Sequence, residues 1–290
     1  MVLLRALHAL RPTDVVVCHV DHQLRGTASD GDRRFVEALC ASLVVSFHGK
    51  LIDPANAGGN REATARRLRY EALAEVAGAV GAAWVAVGHH ADDQAETVLH
   101  HILRGTGLAG LRGIATVGEL APGVRLIRPL LTVTRRTIDE ALLGWNQAHV
   151  EDETNADVGL TRNRLRREIL PLLTNEAPNL TASLARLAGQ AAEAEALLAD
   201  YAALTLAKHE KPRARAVVVL GGELGDEAPD LVRRVLRLLW RREGWPCGDL
   251  TAAHWHRAAA VVLGDTPAVD CPGGISVRRV GAVVRLGPKP

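Results

Sequence analysis

The segment that most constrains this chain is Gly88–Gly107, G-H-H-A-D-D-Q-A-E-T-V-L-H-H-I-L-R-G-T-G, entered directly from the apolar run Ala82–Val87. A short apolar run of that length reads as a strand of the kind that parallel sheets bury. The residues after it recur with helical spacing, placing Ala95, Val98, Leu99, Ile102 and Leu103 on one side. His89, His90, Asp92 and Asp93 therefore stand at a strand-to-helix junction. In an open α/β sheet that junction lies at the carboxyl end of the strand, where ligands bind. Two imidazoles and two carboxylates are costly to desolvate there unless something charged meets them. This favours a reactive site over a scaffold in which the aspartates only cap and complement the helix. His100 and His101 read as a solvated helix face.

The same alternation runs through the first 150 residues. Helical patterns are expected over Met1–Leu10, Asp30–Ser46, Arg61–Gly81 and Thr134–His149, and strands over Val15–Val20, within Val44–Leu51, over Ala83–Val87 and near Leu126–Leu131. Strands separated by helices imply right-handed crossovers and a parallel sheet covered on both faces, an α/β fold. Glu151–Asn163 is polar and without apolar period, which predicts a loop over the carboxyl edge of the sheet; Arg164–Leu173 returns to a helix. Leu180–Leu206 is an alanine-rich helical linker. Val217–Leu220, helices over Asp230–Arg242 and Thr251–Leu263, and strands near Ile275–Arg279 and Ala282–Leu286 describe a smaller α+β domain. The expected division is 1–173 and 174–290.

With 290 residues, 48% of them hydrophobic, the chain can bury two cores. No apolar stretch reaches the roughly 18 residues of a membrane span, and no cleavable leader is evident. Cys18, Cys40, Cys247 and Cys271 form no C-x-x-C pair and no disulfide framework. A cytoplasmic protein is expected. The net charge of +2 is modest, yet Arg162, Arg164, Arg166 and Arg167 cluster. Arginine's planar fork suits phosphates and bases, so a polyanionic partner is one expectation and a solvated helix face the other.

Three further groups fall on the same sheet edge. His19, Asp21, His22 and Arg25 end the first strand. Arg66, Arg69 and Tyr70 lie on one helix, with Arg66 and Tyr70 one turn apart. The polar loop carries Asp152, Asn155, Arg162, Asn163 and Arg166. Carboxylates at a strand end can hold magnesium against a triphosphate, and arginines neutralise charge that develops in phosphoryl or nucleotidyl transfer.

Together these residues resemble the tRNA(Ile)-lysidine synthase family of the N-type ATP pyrophosphatase (PP-loop) superfamily. H-V-D-H-Q-L-R at His19–Arg25 is similar to the family's H-V-N-H-x-L-R, and E-A-T-A-R-R-L-R-Y at Glu62–Tyr70 to its E-x-x-A-R-x-x-R-Y. The G-H-H-A-D-D-Q-A-E-T…L-R-G-T-G run and D-E-T-N…T-R-N-R-L-R also match, from residue 15 to about 172. The resemblance implies a Rossmann-like, adenine nucleotide alpha hydrolase-like domain, with a tRNA-binding extension after Leu180. The superfamily's phosphate loop, S-G-G-x-D-S, occurs nowhere in this sequence, and Met1–Leu4 resembles the residues that follow it. The domain is accordingly expected to be N-terminally truncated, and the chain alone to be inactive.

The resemblance further implies a ligase. ATP adenylates the wobble cytidine of a tRNA(Ile) with a CAU anticodon, and free L-lysine then displaces AMP to leave lysidine, changing codon reading from AUG to AUA. It assigns Asp93, Arg66 and Arg162 to catalysis, with Asp93 also the candidate magnesium ligand. His19, Asp21, Arg25 and His89 fall to the nucleotide, and Arg104, Arg164, Arg166 and Arg167 to tRNA phosphates, which position a substrate without reading it. ATP and magnesium are the implied cofactors; a homodimer is left open. The alternatives are a tRNA 2-thiocytidine synthetase-type enzyme, whose iron–sulfur cluster needs grouped cysteines, a metal-dependent phosphohydrolase using His19, His22, His89 and Asp93, and a catalytically inactive tRNA-binding protein.

Overall fold

The computed structural model describes residues 1–21, 27–54, 61–149, 161–214 and 217–289. The chain divides into two compact units, Met1–Ala192 and Glu193–Pro290. The first contains α1 (Val2–Leu10), β1 (Val16–Asp21), α2 (Thr27–Leu43), β2 (Ser46–Leu51), α3 (Arg61–Val80), β3 (Trp84–Ala86) and α4 (Ala91–Leu103). It continues with α5 (Leu108–Leu111), β4 (Val117–Ala121), β5 (Val124–Ile127), α6 (Arg135–Gly144), α7 (Thr161–Arg164), a π-helical turn at Leu165–Ile169 and α8 (Leu170–Glu176). α9 (Leu180–His209) starts in the first unit and ends in the second.

The expected parallel pairings are present: β1 runs parallel to β2, Val16 opposite Ser46 through Asp21 opposite Leu51, and β3 parallel to β5, Trp84 opposite Arg125. They form two separate ladders, β1–β2 and β3–β5–β4, with no strand pairing between β1 and β3 among the described residues. This corrects the expectation of a buried strand at Ala82–Val87. Trp84 is 57% exposed, and among the described residues β3 is paired on one side only, with β5.

The β4–β5 hairpin is antiparallel and was not expected; it turns at Pro122-Gly123, with Gly123 at φ +78°. Pro-Gly is a turn signal.

α4 buries Ala91, Ala95 and Val98, but Ile102 and Leu103 are exposed, contrary to the periodic reading. Its last turn meets α5 on the other side, where His101 Nδ1 lies 2.7 Å from the Gly110 carbonyl. His100 and His101 are thus half-buried and not fully solvated. α6 stops at Gly144, short of His149, because Asn146 takes a left-handed φ of +47°. Of the polar loop, 151–160 lie outside the described residues, while Thr161–Asn163 are already helical. The helix expected over Arg164–Leu173 contains the π turn, a feature that often marks functional sites.

The second unit holds β6 (Glu210–Ala214), β7 (Val217–Gly221), a 3-10 turn (Gly222–Asp226), α10 (Pro229–Arg242), α11 (Ala252–Leu263), β8 (Ala268–Cys271), β9 (Ile275–Val280) and β10 (Val283–Pro288). Its antiparallel sheet has the order β6–β7–β10–β9–β8. Apolar residues of α10, α11, β7, β9 and β10 close one core around the buried Trp240, whose ring meets Trp245 and Trp255 edge-on at 4.9 and 5.3 Å. The small α+β domain is therefore as expected; β6 and β8 were not. No helix among the described residues is long and apolar enough to cross a membrane.

Candidate active site

The junction after β3 is built by a capping box. His90 is the N-cap of α4, and its backbone N–H donates to Asp93 Oδ2 at 3.0 Å. Asp93 and Glu96, three residues apart, share a face of the helix. Both are buried, and Glu96 is only 1% exposed. Their counter-charges come from the helical segment around the π turn. Arg166 donates from Nη2 to Asp93 Oδ1 (2.8 Å) and Glu96 Oε2 (3.1 Å), and from Nε to Glu96 Oε1 (2.5 Å). Arg162 Nε reaches Glu96 Oε2 at 3.3 Å. Burial alone would lower the Arg166 pKa, but the bonds to Glu96 and the charges of Asp93 and Asp92 outweigh it and raise it. Asp92 accepts the Arg135 backbone N–H at 2.8 Å. Burial opposes its charge, yet His90 and that backbone N–H hold its carboxyl below the ordinary value.

A cationic wall stands on the other flank. Arg128, 6% exposed, follows β5 and donates from Nε to His89 Nδ1 (3.3 Å), from Nη1 to the Ala115 carbonyl (2.7 Å) and from Nη2 to the Tyr70 hydroxyl (3.4 Å). On α3, the Arg66 guanidinium lies 5.3 Å from the centre of the Tyr70 ring, in keeping with their one-turn spacing, and that of the adjacent Arg69 lies 5.7 Å from it. Burial lowers the Arg69 pKa, and Arg66 and Arg162 nearby lower it further. Burial, aided by Arg128, Arg66 and Arg69 against the opposing Asp93, pushes His89 down to about 4. Its imidazole is therefore neutral at pH 7. Accepting at Nδ1 from Arg128 assigns the proton to Nε2.

Three cavities surround these groups. One of about 450 Å³ is lined by Cys18 and Val20 of β1, Arg69 and Tyr70 of α3, and Gly88 and His89. One of about 400 Å³ is lined by His19, Asp32, Phe35, Gly88, His90 and Arg135. One of about 330 Å³ is lined by Asp92, Glu96, Arg166, Thr174, Asn175 and Thr181.

Of the residues singled out in the sequence, Asp93, His89, Arg66, Arg162 and Arg166 share this neighbourhood. Asp21 is buried at the end of β1; His19, its ring 6.5 Å from that of Phe47, is half-buried, and burial lowers its pKa against Asp21 and Asp32. Arg104 is exposed at the far end of α4, roughly 16 Å along the axis from Asp93. Arg164 and Arg167 are exposed, with Arg164 Nη2 donating to Thr161 Oγ1 at 3.3 Å. Arg25, His22, Asp152 and Asn155 lie outside the described residues.

Sequence reasoning passed over Glu96 and Arg128. The available signals were a carboxylate within the apolar face of a helix and a lone arginine at the carboxyl end of a strand. Among the described residues, no group of three or more His, Cys, Asp or Glu side chains could hold a metal ion by itself.

Comparison with known proteins bears on this geometry. Residues 1–173 match the PP-loop domain family model. A tRNA(Ile)-lysidine synthase of Geobacter sulfurreducens is 36% identical over 91% of this chain and 56% of the relative. One of Rhodopirellula baltica is 32% identical over 86% of this chain and 68% of the relative, and one of Bacillus subtilis 39% identical over 62% and 39%. The chain thus spans from about two fifths to two thirds of the length of these curated relatives. Among solved structures, the U34-tRNA thiolase NcsA from Methanococcus maripaludis, determined with its [4Fe-4S] cluster, superposes with a TM-score of 0.55. It is 15% identical, covers 65% of this chain and 66% of its own, and shares the fold. With an acid–arginine network at the carboxyl edge of a parallel sheet and relatives of one kind across most of its length, the chain belongs to the tRNA(Ile)-lysidine synthase family of PP-loop domain proteins.

Proposed function

We propose that this chain carries the catalytic part of an ATP-dependent ligase that joins free lysine to the wobble cytidine of tRNA(Ile) with a CAU anticodon. Residues 1–173 are the catalytic domain in this reading, and 174–290 a linker and tRNA-binding extension. The observation that carries the proposal is the pairing of two opposite electrostatic walls. Asp92, Asp93 and Glu96 face one flank and Arg66, Arg69 and Arg128 the other, around neutral His89.

The chemistry needs both walls. In the first step the cytosine 2-oxygen attacks the α-phosphorus of ATP, a C–O–P bond forms, the Pα–O bond breaks and pyrophosphate leaves. Fixed guanidinium groups stabilise charge spreading over the phosphate oxygens without reorganising during the step. The cavity lined by Arg69, Tyr70 and His89 suits the nucleotide. In the second step the ε-amine of lysine attacks C2 and AMP leaves. The amine must lose a proton to act, and a nearby carboxylate can accept it. The cavity bearing Asp92, Glu96 and Arg166 offers both signs of charge, as a zwitterionic amino acid with a cationic side chain requires.

The donor set fits magnesium as a partner of the nucleotide. That ion takes one or two carboxylates together with substrate phosphates and water, and Asp93 would be the carboxylate that holds it. Magnesium would supply charge neutralisation at the triphosphate. Arg104, Arg164 and Arg167, exposed beyond the acid network, are assigned to tRNA phosphates, and Arg166 is the arginine that joins this set to the acids. Such an enzyme works in the cytoplasm.

The test is to deplete the protein in its own cells and digest purified tRNA(Ile) for mass spectrometry. Cytidine should replace lysidine at the wobble position. Lysidine persisting undiminished after depletion would refute the proposal.

A further inference from the structure

Among the described residues, Arg128 is the one arginine or lysine that is buried. Burying a guanidinium is expensive unless a carboxylate meets it. None does so here: its partners among the described residues are His89 Nδ1, the Ala115 carbonyl and the Tyr70 hydroxyl. Two further cations, Arg66 and Arg69, act on the same imidazole from α3. A buried charge with no acid to balance it does little for stability, so its value lies in what it holds in place.

The three bonds fix the direction of the guanidinium. Its fork is planar and rigid, so the bonds from Nη1 to Ala115 and from Nη2 to Tyr70 determine where the Nε–H points. Arginine keeps its proton and has no acceptor. Nδ1 of His89 can therefore only accept, and the neutral ring carries its one proton on Nε2. Nε2 has no hydrogen-bond partner among the described residues, yet it is not sealed from solvent. His89 lines the cavity of about 450 Å³ together with Arg69 and Tyr70, and Nε2 is the free edge of its ring. With the proton on Nδ1 instead, that edge would offer a lone pair, which repels a phosphate oxygen.

We propose that Arg128 is a positioning residue: by holding His89 as the Nε2–H tautomer, it keeps a neutral donor ready for a phosphate oxygen of the nucleotide. This rests on the nucleotide reading of the cavity given above, and it adds a residue that acts on the phosphate only through another side chain. The hydrogen bond at one ring nitrogen sets what the other nitrogen can do. Arg66 and Arg69 then supply charge to the site, and His89 supplies direction.

The test uses the protein purified from its natural locus with isotope-labelled histidine, in magnesium buffer at neutral pH, with α,β-methylene ATP as the probe. Nitrogen NMR should show the His89 ring, identified by its loss in His89→Phe, with the proton on Nε2. That resonance should shift as the probe saturates the site. Arg128→Gln, whose amide can accept as well as donate, should mix the two tautomers. It should also weaken probe binding by about tenfold, the worth of one hydrogen bond to a charged group. His89→Phe should lose about as much, and the double variant no more than either, because the two residues act in series. Arg128→Lys, which can only donate, should restore the tautomer and much of the affinity. A parent ring protonated on Nδ1, an unmixed tautomer in Arg128→Gln, or a double variant weakened about a hundredfold overturns the inference alone. The first of these needs no variant, so it decides the matter even if Arg128→Gln does not fold. A lysine variant that restores affinity without the tautomer assigns the effect to charge and overturns the inference too. A parent that does not bind the probe overturns the nucleotide reading, and this inference with it.

Discussion

Arg166 and Glu96 form a two-pronged ion pair, Nε to Oε1 at 2.5 Å and Nη2 to Oε2 at 3.1 Å, in which the carboxylate is 1% exposed and the arginine side chain 37%. A carboxylate that deep is tolerable only because two arginines meet it, Arg162 being the second. The pair ties the π turn to α4, seventy residues apart in sequence.

Breaking one side of this pair should cost more than removing both. Glu96→Leu leaves Arg162 and Arg166 short of a partner, and a loss of about 3 kcal/mol is expected, the low end for buried pairs because the arginines reach solvent. The double variant Glu96→Leu with Arg166→Met should recover only part of that loss, because buried Asp93 then loses its own arginine. Urea denaturation of the four proteins in a double-mutant cycle measures the coupling. A coupling energy below about 0.5 kcal/mol would show that the pair is not an anchor.

His89 gives a pH dependence of defined sign. Unfolded, the imidazole titrates near its ordinary 6.5; folded, it is held down at about 4 by burial and by Arg128, Arg66 and Arg69. Between those values the unfolded chain binds the extra proton, so this contribution is complete above about pH 6.5 and is lost as pH falls toward 4. His89→Gln should flatten that part of the stability curve. NMR titration of His89 should give a midpoint near 4, and Arg128→Met should raise it. A wild-type midpoint near 6.5 would remove the neutral imidazole from the site.

Asp93 and Asp270 provide a matched contrast. Asp93 is buried between Arg166 and the His90 backbone, whereas Asp270 lies half-exposed in the second unit with Arg278 and Lys289 at 3.5 and 3.0 Å. Asp93→Asn, introduced at the natural locus, should abolish lysidine in tRNA(Ile), and Asp270→Asn should leave it intact and change stability by less than about 0.5 kcal/mol. Single-turnover assays on the enzyme purified from that locus divide the defect between adenylation and lysine attack. Normal lysidine with Asp93→Asn would move the catalytic assignment to another residue.

What was legible in the sequence was periodic or local. Strand-to-helix junctions announce themselves by a change of period, which marks β1, β3 and α4, and the i, i+4 spacing puts Arg66 and Tyr70 on one helix face, where guanidinium and ring meet. Glu96 was not legible in that way, because its partners come from Arg162 and Arg166, and no local rule pairs residues that distant. Arg128 escaped for the same reason: its acceptors, His89, Ala115 and Tyr70, come from three separate parts of the chain. The exposure of Trp84 shows the limit of hydrophobic pattern, since an apolar run predicts a strand but not whether both its edges will be paired.

Gln94 supplies the last test, one of geometry alone. Its buried amide bridges α4 to the segment before β4, donating to the Arg112 and Ile114 carbonyls (3.3 and 3.1 Å) and accepting the Ile114 N–H at 2.6 Å. Gly113 lies between, at φ +58°, and a Cβ there would stand 2.5 Å from Gln94 Oε1. Gly113→Ala is therefore penalised twice, once for a left-handed backbone, about 1 kcal/mol, and again for displacing a buried, bonded amide, about 1–3 kcal/mol. A fall in melting temperature of about 5–10 °C is expected for a unit of this size. Gly113→Asn separates the two causes, because asparagine tolerates the left-handed region but still brings a Cβ. It should be nearly as damaging as alanine, with faster hydrogen exchange at the Ile114 amide. An asparagine variant as stable as the parent would assign the whole cost to the backbone and leave Gln94 without its latching role.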